Sequence, residues 1–221
     1  MDGHVLANPI VVTDAPARHA SPHHNVYRRL VGEAGWRRLH PAAQRRFSRD
    51  AVLAGPITYC GDMSVEMTGL GRLFAWCGVL FGTPLPVHAM QGGVAEVRVY
   101  SDGADGVVYE RLLSAAPGRS EIVSSTKRPW SSERLLEVTR RGLSMLLAVF
   151  EHEGDLVFES RGFGLLIGGR WLRIPAWMTP GTCRVTHAPL DDREFRFTME
   201  LDHPRFGRLM TQTGVFVDPE G

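Results

Sequence analysis

The sequence has no surplus of either charge: 25 lysines and arginines face 24 aspartates and glutamates, for a formal net charge of +1. A polyanionic partner calls for a basic excess, so on this count nucleic acid and anionic membrane are both excluded as bulk partners. Cysteine is scarce. Cys60, Cys77 and Cys183 lie far apart and form neither a CxxC pair nor a disulfide framework. They read as buried or half-buried free thiols of a reducing cytoplasm. Long apolar runs are missing too. The longest, Leu73 to Phe81, has about nine residues, against the roughly 20 that a spanning helix needs. Met1 to Ser21 has no apolar core of a signal peptide. The expectation is a soluble, cytoplasmic protein.

The familiar catalytic signatures are also absent. Gly162-Phe163-Gly164 followed by Gly168 misses the last spacing of GxGxxG, and no helical pattern follows it. Gly142-Leu143-Ser144-Met145-Leu146 lacks the second glycine of a nucleophile elbow. No P-loop or HExxH motif is present, and the adjacent His23-His24 pair is poorly placed to converge on one metal. Neither a cofactor nor a metal is expected.

What is present is an ordinary globular composition, 43% hydrophobic over 221 residues, enough for a single domain with a real core. Residues 1–24, with Pro9, Pro16 and Pro22, read as a flexible arm, and 25–221 as one domain. Val26, Leu30, Val31 and Trp36 fall near helical spacing, and Pro41 opens a second helix over Ala42 to Arg49. Beyond the Gly55-Pro56 breaker, Ile57 to Met67 reads as a strand. Leu70 to Phe81 is an almost wholly apolar helix, closed by Gly82, Pro84 and Pro86. Such a helix is covered on most sides or lines a greasy cavity.

After Gly92, nine short apolar or alternating runs follow one another, from Ala95–Ser101 to Arg208–Val217, with turns such as Asp102-Gly103 and Glu153-Gly154 between them. Strands joined by tight turns pair antiparallel, and closure removes exposed edges. The fold class is therefore α+β: N-terminal helices, then a long antiparallel meander forming a closed or nearly closed β-barrel. The aromatic, Gly- and Pro-rich stretch Phe163 to Pro180 carries too much apolar area for a free loop and is expected to pack across one end of the sheet.

Strand alternation sorts the ionisable residues. One face of Val107–Leu113 carries Tyr109 and Arg111; one face of Leu135–Arg140 carries Glu137 and Thr139 with Leu135; Glu96, Arg98 and Tyr100 share a face, and Lys127 and Arg128 end a strand. Two placements follow. On the outer face these charges pair across strands for little net energy. On the inner face Tyr109, Arg111 and Glu137 form a polar patch in a cavity, an acid/base or carbonyl-polarising group. His187, His203 and Gln212 on the last strands are further candidates, with His203-Pro204 better suited to shaping a turn.

The ordered set of motifs from Val26 to Phe216 resembles a bacterial family of domains of unknown function, DUF4166. The carrying residues are Tyr27 to Leu39 with Pro41 to Phe47, the helix ending Leu80-Phe81-Gly82-Thr83-Pro84-Leu85-Pro86, and Tyr109-Glu110-Arg111. They continue with Ser124-Ser125, Leu136-Glu137, Gly142, Gly169 to Pro180, Phe195-Arg196-Phe197, His203 to Leu209, and Gly214. Tyr109 stands where the family often has Trp, and Gln212 where it often has Tyr, so a pocket lined by those positions differs in shape. The resemblance implies an architecture and an association with oxidoreductases, to which family members are fused, and no catalytic assignment.

Three functions are weighed. The first is a barrel enclosing a largely apolar, amphipathic and in one version anionic small molecule, with cofactor-free isomerisation, cyclisation or dehydration. There Glu137 is acid or base, Arg111 the anion or carbonyl clamp and Tyr109 the donor, and Arg98, Trp76, Phe81, Trp171, Trp177 and Gln212 line the ligand. The second is a lipid or isoprenoid carrier, or the partner of a separate oxidoreductase. The third is a homodimer in which Leu70–Phe81 packs against a second subunit. Met1 to Asp50 holds eight arginines and four acids, so a basic rim that steers an anionic ligand is expected if this lead-in covers the barrel mouth.

Overall fold

A computed structural model describes residues 25–48, 55–80, 82, 85–116 and 119–219. The expected N-terminal arm and Phe81 lie outside the described residues. Two helices come first: α1 (Val26–Arg38), capped by the Asn25 side chain and interrupted at Gly32 with φ 77°, and α2 (Pro41–Arg46). The second helix is shorter than its pattern suggested and ends at a Phe47 cap, because that ring turns into the core. Then follow β1 (Ile57–Met67) and α3 (Gly69–Val79).

The meander is β2 (Met90–Ser101), β3 (Val107–Ala116), β4 (Arg119–Pro129), β5 (Leu135–Val138), β6 (Leu143–His152), β7 (Asp155–Ile167), β8 (Arg170–Arg173), β9 (Thr182–Pro189), β10 (Glu194–His203) and β11 (Gly207–Val217). All described pairings are antiparallel. The order is β6-β5-β4-β3-β2-β1-β11-β10-β9-β7, and β7 pairs back to β6, closing a ten-stranded barrel. The short β8 sits outside the ring, hydrogen-bonded to the far half of β7. Phe163 to Pro180 is therefore only partly an end cover. Its first third prolongs β7, the Gly168-Gly169 turn (φ 57° and 77°) reverses it into β8, and a 3₁₀ turn (Ala176–Met178) follows.

Inward positions alternate along each strand as period two requires: Leu135, Met145, Leu147, Val149, Phe158, Phe195, Phe197 and Phe216 belong to one buried core. A barrel of about eight strands is just filled by its side chains, and added strands open space. Strand β5 is buried on both faces. Its outer Leu136 and Val138 pack under Trp130 and Trp171 in a second small cluster.

The two ends are covered differently. At one, α1 and α2 plug the mouth: Gln44 donates to the Trp36 and Leu39 carbonyls, and Arg46 forms a bidentate pair with Asp218 beyond β11 (2.8 and 2.6 Å). At the other, the Thr68 hydroxyl accepts from the Gly71 amide and donates to the Leu209 carbonyl, so α3 lies tight against the start of β11. Gly71 is required there, since a Cβ would collide with that carbonyl. Only one face of α3 is covered; Leu73, Trp76 and Leu80 point outward.

Of the thiols, Cys183 is buried, whereas Cys60 and Cys77 are exposed, against the expectation for all three. Cys60 sits on an outward strand position, and Cys77 on a helix covered on one side only. Among the described residues no helix is long and apolar enough to cross a membrane.

Candidate functional site

Three adjacent strands carry an ionic cluster into the barrel. Register places Tyr109 opposite Ser125 and Lys127 opposite Glu137. The Glu137 carboxylate accepts from the Ser125 hydroxyl at 2.6 Å and from the Lys127 ammonium at 3.2 Å, with both charged side chains buried. The ammonium also lies 4.1 Å from the centroid of the Tyr109 ring, a cation–π contact. Burial pushes the Glu137 carboxyl up, but the charges of Lys127 and Arg111 and hydrogen bonds from Ser125 and Lys127 outweigh it, and the net displacement is downward. Burial lowers the Lys127 ammonium, with Glu137 opposing. A carboxylate so held is a weak proton acceptor at neutral pH. Its geometry is that of a counter-ion.

Arg111, one pleat further along β3, is different. Its side chain lines the cavity and is only half-buried, and it has no hydrogen bond or salt bridge with a described residue. It reaches Glu137 and Lys127 through space only. Around the cavity Lys127 balances Glu137 and Arg46 balances Asp218. The Arg111 charge is left over.

Towards the mouth the Tyr27 hydroxyl from α1 meets the Tyr109 hydroxyl at 3.0 Å. Burial pushes the Tyr27 phenol up to about 12 and that of Tyr109 well above its usual value, so both are neutral donors. His187 on β9 sits in an aromatic cage of Phe47, Phe158, Phe195 and Phe197, with ring centroids 5.0–5.8 Å away. Burial, then the charges of Arg46, Lys127 and Arg111, hold its imidazole well below the usual range. It is neutral, and its Nδ1 is shielded without a hydrogen-bond partner among the described residues. The Arg46 guanidinium stacks 3.7 Å over the Phe195 ring.

The free space forms two chambers that share Leu85, Glu137, Met145 and Cys183 as walls. The chamber holding Arg111, Tyr109 and His187 is narrow, about 80 Å³. The second, about 400 Å³, runs beneath α3 and the 3₁₀ turn and is lined by Phe74, Phe163, Leu165, Ile174 and Met178. The narrow chamber takes a small polar group, and the wide one falls within the ~300–1,000 Å³ of small-molecule sites. Burial raises the Cys183 thiol between them to about 12, which makes it a neutral, inert wall.

The structure thus brings Tyr109, Arg111 and Glu137 onto one cavity wall and adds Gln212, 2% exposed, on the same lining. It separates the others. Arg98 points outward and pairs with Glu96 at 2.8 Å, as its strand face dictates. Trp171 is buried beneath the outer face of the barrel, where its indole donates to the Ser144 hydroxyl at 3.1 Å. Trp177 is 79% exposed, and Trp76 borders a side groove with Ile122. The His203 Nδ1 accepts from the Arg205 amide within its turn. The basic rim is largely neutralised, since Arg28, Arg38, Arg45 and Arg46 pair with Glu33, Glu151, Asp192 and Asp218.

Lys127, Ser125 and Tyr27 belong to the site without having been singled out for it. Alternation along Val123, Ser125 and Lys127 was the available signal for two of them; nothing local marks Tyr27. Among the described residues, no three His, Cys, Asp or Glu side chains gather as a metal-binding group.

Residues 39–216 match the model of a family described as "Domain of unknown function (DUF4166)". Among curated proteins none matches the chain. Among solved structures, Rv2717c from M. tuberculosis aligns with a TM-score of 0.46 and 11% identity, over 82% of this chain and 99% of that one. The dehydratase domain of RzxB from Pseudomonas fluorescens aligns with a TM-score of 0.20 and 10% identity, over 81% of this chain and 85% of that one.

Proposed function

The chain belongs to the DUF4166 family, and from that premise we propose that it binds an amphipathic small molecule with an anionic head, a carboxylate being the simplest, inside its barrel. The observation that carries this is Arg111: a guanidinium on the cavity wall that has no hydrogen bond or salt bridge with a described residue, beside a Glu137 carboxylate already committed to Lys127 and Ser125. A half-buried guanidinium keeps its donors free on the cavity side, and a ligand carboxylate supplies the counter-charge with two parallel hydrogen bonds. The Tyr27–Tyr109 hydroxyl pair and Lys127 border the same space, and the apolar body of the ligand lies in the chamber beneath α3. Titration with a fluorescent medium-chain fatty acid and its methyl ester tests this. The acid binds the wild type at least about tenfold more tightly than the ester, the worth of one charge-assisted pair, and Arg111→Met abolishes the preference. Equal affinity of acid and ester for the wild type would overturn the reading.

A second reading, turnover, draws on His187. Its imidazole is neutral, and so able to take a proton although burial makes it a weak base, and Tyr109 is a donor in the same chamber. This pair suits a cofactor-free isomerisation better than Glu137, which is already committed to Lys127. Solvent deuterium entering carbon-bound positions of a retained ligand in the wild type, and not in His187→Phe, is its expected signature. A ligand that gains no deuterium would leave a binding protein without turnover.

A further inference from the structure

The end of the barrel that carries α3 combines exposed apolar side chains with unpaired basic ones. Leu73 and Trp76 on α3 and Leu80 at its C-cap project from one side of the wide chamber, and Ile167, Trp177 and Met178 from the other, each more than half exposed. From residue 67 to 95, and again from 160 to 190, the sequence contains no aspartate or glutamate. Arg72, Arg140, Arg141, Arg170 and Arg173 are exposed in or beside these stretches, and none has an acidic partner among the described residues. Arg141 reaches the Leu80 carbonyl at 2.9 Å, which ties the β5–β6 turn to the end of α3. Of the acids near this end, Glu200 and Asp202 pair with Arg208, and Glu121 is held by the Val87 amide and His88, while Glu66 before α3 and Glu110 in a groove with Arg140 and Arg141 have no ion pair among the described residues, so the arginines outnumber the free acids.

We infer that this face docks on an anionic lipid bilayer, with α3 and the 3₁₀ turn seated among the headgroups and the wide chamber opening towards the membrane. Tryptophan, leucine and methionine beside arginine is the composition of an interfacial membrane site. Charge complementarity selects the occupant. A two-fold contact with a second copy would set a predominantly basic patch against itself, whereas a leaflet of anionic lipid attracts it. Cys77 and Met178 are exposed and also line the wide chamber, which marks its opening on this same face. The near-zero total charge conceals the patch, because the acids that balance it lie elsewhere on the barrel. The inference rests on the ligand reading for its purpose, loading or unloading an amphipath, and is tested apart from it.

The test is co-sedimentation of the full chain with vesicles of phosphatidylcholine, and with the same vesicles containing half phosphatidylglycerol. The expected result is binding to the anionic vesicles, weak or no binding to the neutral ones, and release at about 0.5 M salt. Trp76→Ser with Trp177→Ser lowers the partition coefficient about tenfold, and Arg170→Glu with Arg173→Glu lowers it about fivefold for each arginine. Arg111→Met leaves vesicle binding unchanged while losing its acid-over-ester preference, which separates the two claims. Equal partition to both vesicle types, no binding to either, or a wild-type dimer that the tryptophan variant converts to monomer would overturn the docking face and leave the interior site standing.

Discussion

Lys127 and Glu137 illustrate how a polar group enters an apolar barrel: as a pair, cross-strand and hydrogen-bonded, with the residual Glu137 capacity taken by Ser125. His187 enters as a neutral ring among phenylalanines, and this gives a pH signature. Its folded pKa lies well below the ordinary 6.5, so below pH 6.5 the unfolded chain takes up a proton that the folded one refuses. Stability therefore falls as pH falls through this range, by up to about 1.4 kcal/mol per unit. Glu137 acts in a lower window. Its folded pKa is depressed, so its contribution is present above about 4.5 and lost as pH drops through the folded value. Urea unfolding at pH 7.5 and 5.5 is expected to show that the wild type loses about 1.4 kcal/mol more than His187→Phe. Identical losses would mean that His187 is protonated in the folded protein. Alternation made Tyr109, Arg111 and Glu137 legible as one inward group but gave no sign that Glu137 is occupied by Lys127. That depends on strand register, which a single sequence does not specify.

At the scale of elements, strands were the most readable part. Ile57 to Met67 matches β1 from end to end, and the runs after Gly92 locate every later strand of the ring, though several extend further than their alternation. The short β8 escaped, because four residues after a Gly-Gly turn carry no period of their own. The aromatic stretch around it misled for a physical reason: Trp171 serves the outside of the barrel. Its indole covers Leu136 and Val138 and donates to Ser144, and a Cβ at Gly164 would collide with it. Trp171→Ala removes that cover from a strand buried on both faces. It is expected to destabilise the fold by about 3–5 kcal/mol without changing acid-over-ester selectivity; chemical denaturation alongside the fluorescence titration checks both. Loss of selectivity in a variant that remains folded would place Trp171 in the ligand site after all.

For the whole molecule, the balance of 25 basic against 24 acidic residues says little until the charges are placed. Of the arginines on the N-terminal helices, Arg38, Arg45 and Arg46 form ion pairs that tie α1 and α2 to the barrel. Arg111 is left facing the interior without an ion pair among the described residues, and an end rich in exposed arginine surrounds α3. Closure of ten strands supplies the space, with a narrow polar chamber and a wide apolar one meeting at Glu137. The central claim is that this space holds an amphipathic anion by its charge. Native mass spectrometry of the purified wild type and of Arg111→Met, each followed by solvent extraction, tests it most directly. The account predicts an acidic, largely apolar molecule retained by the wild type and missing from the variant. A neutral molecule retained equally by both proteins would contradict it.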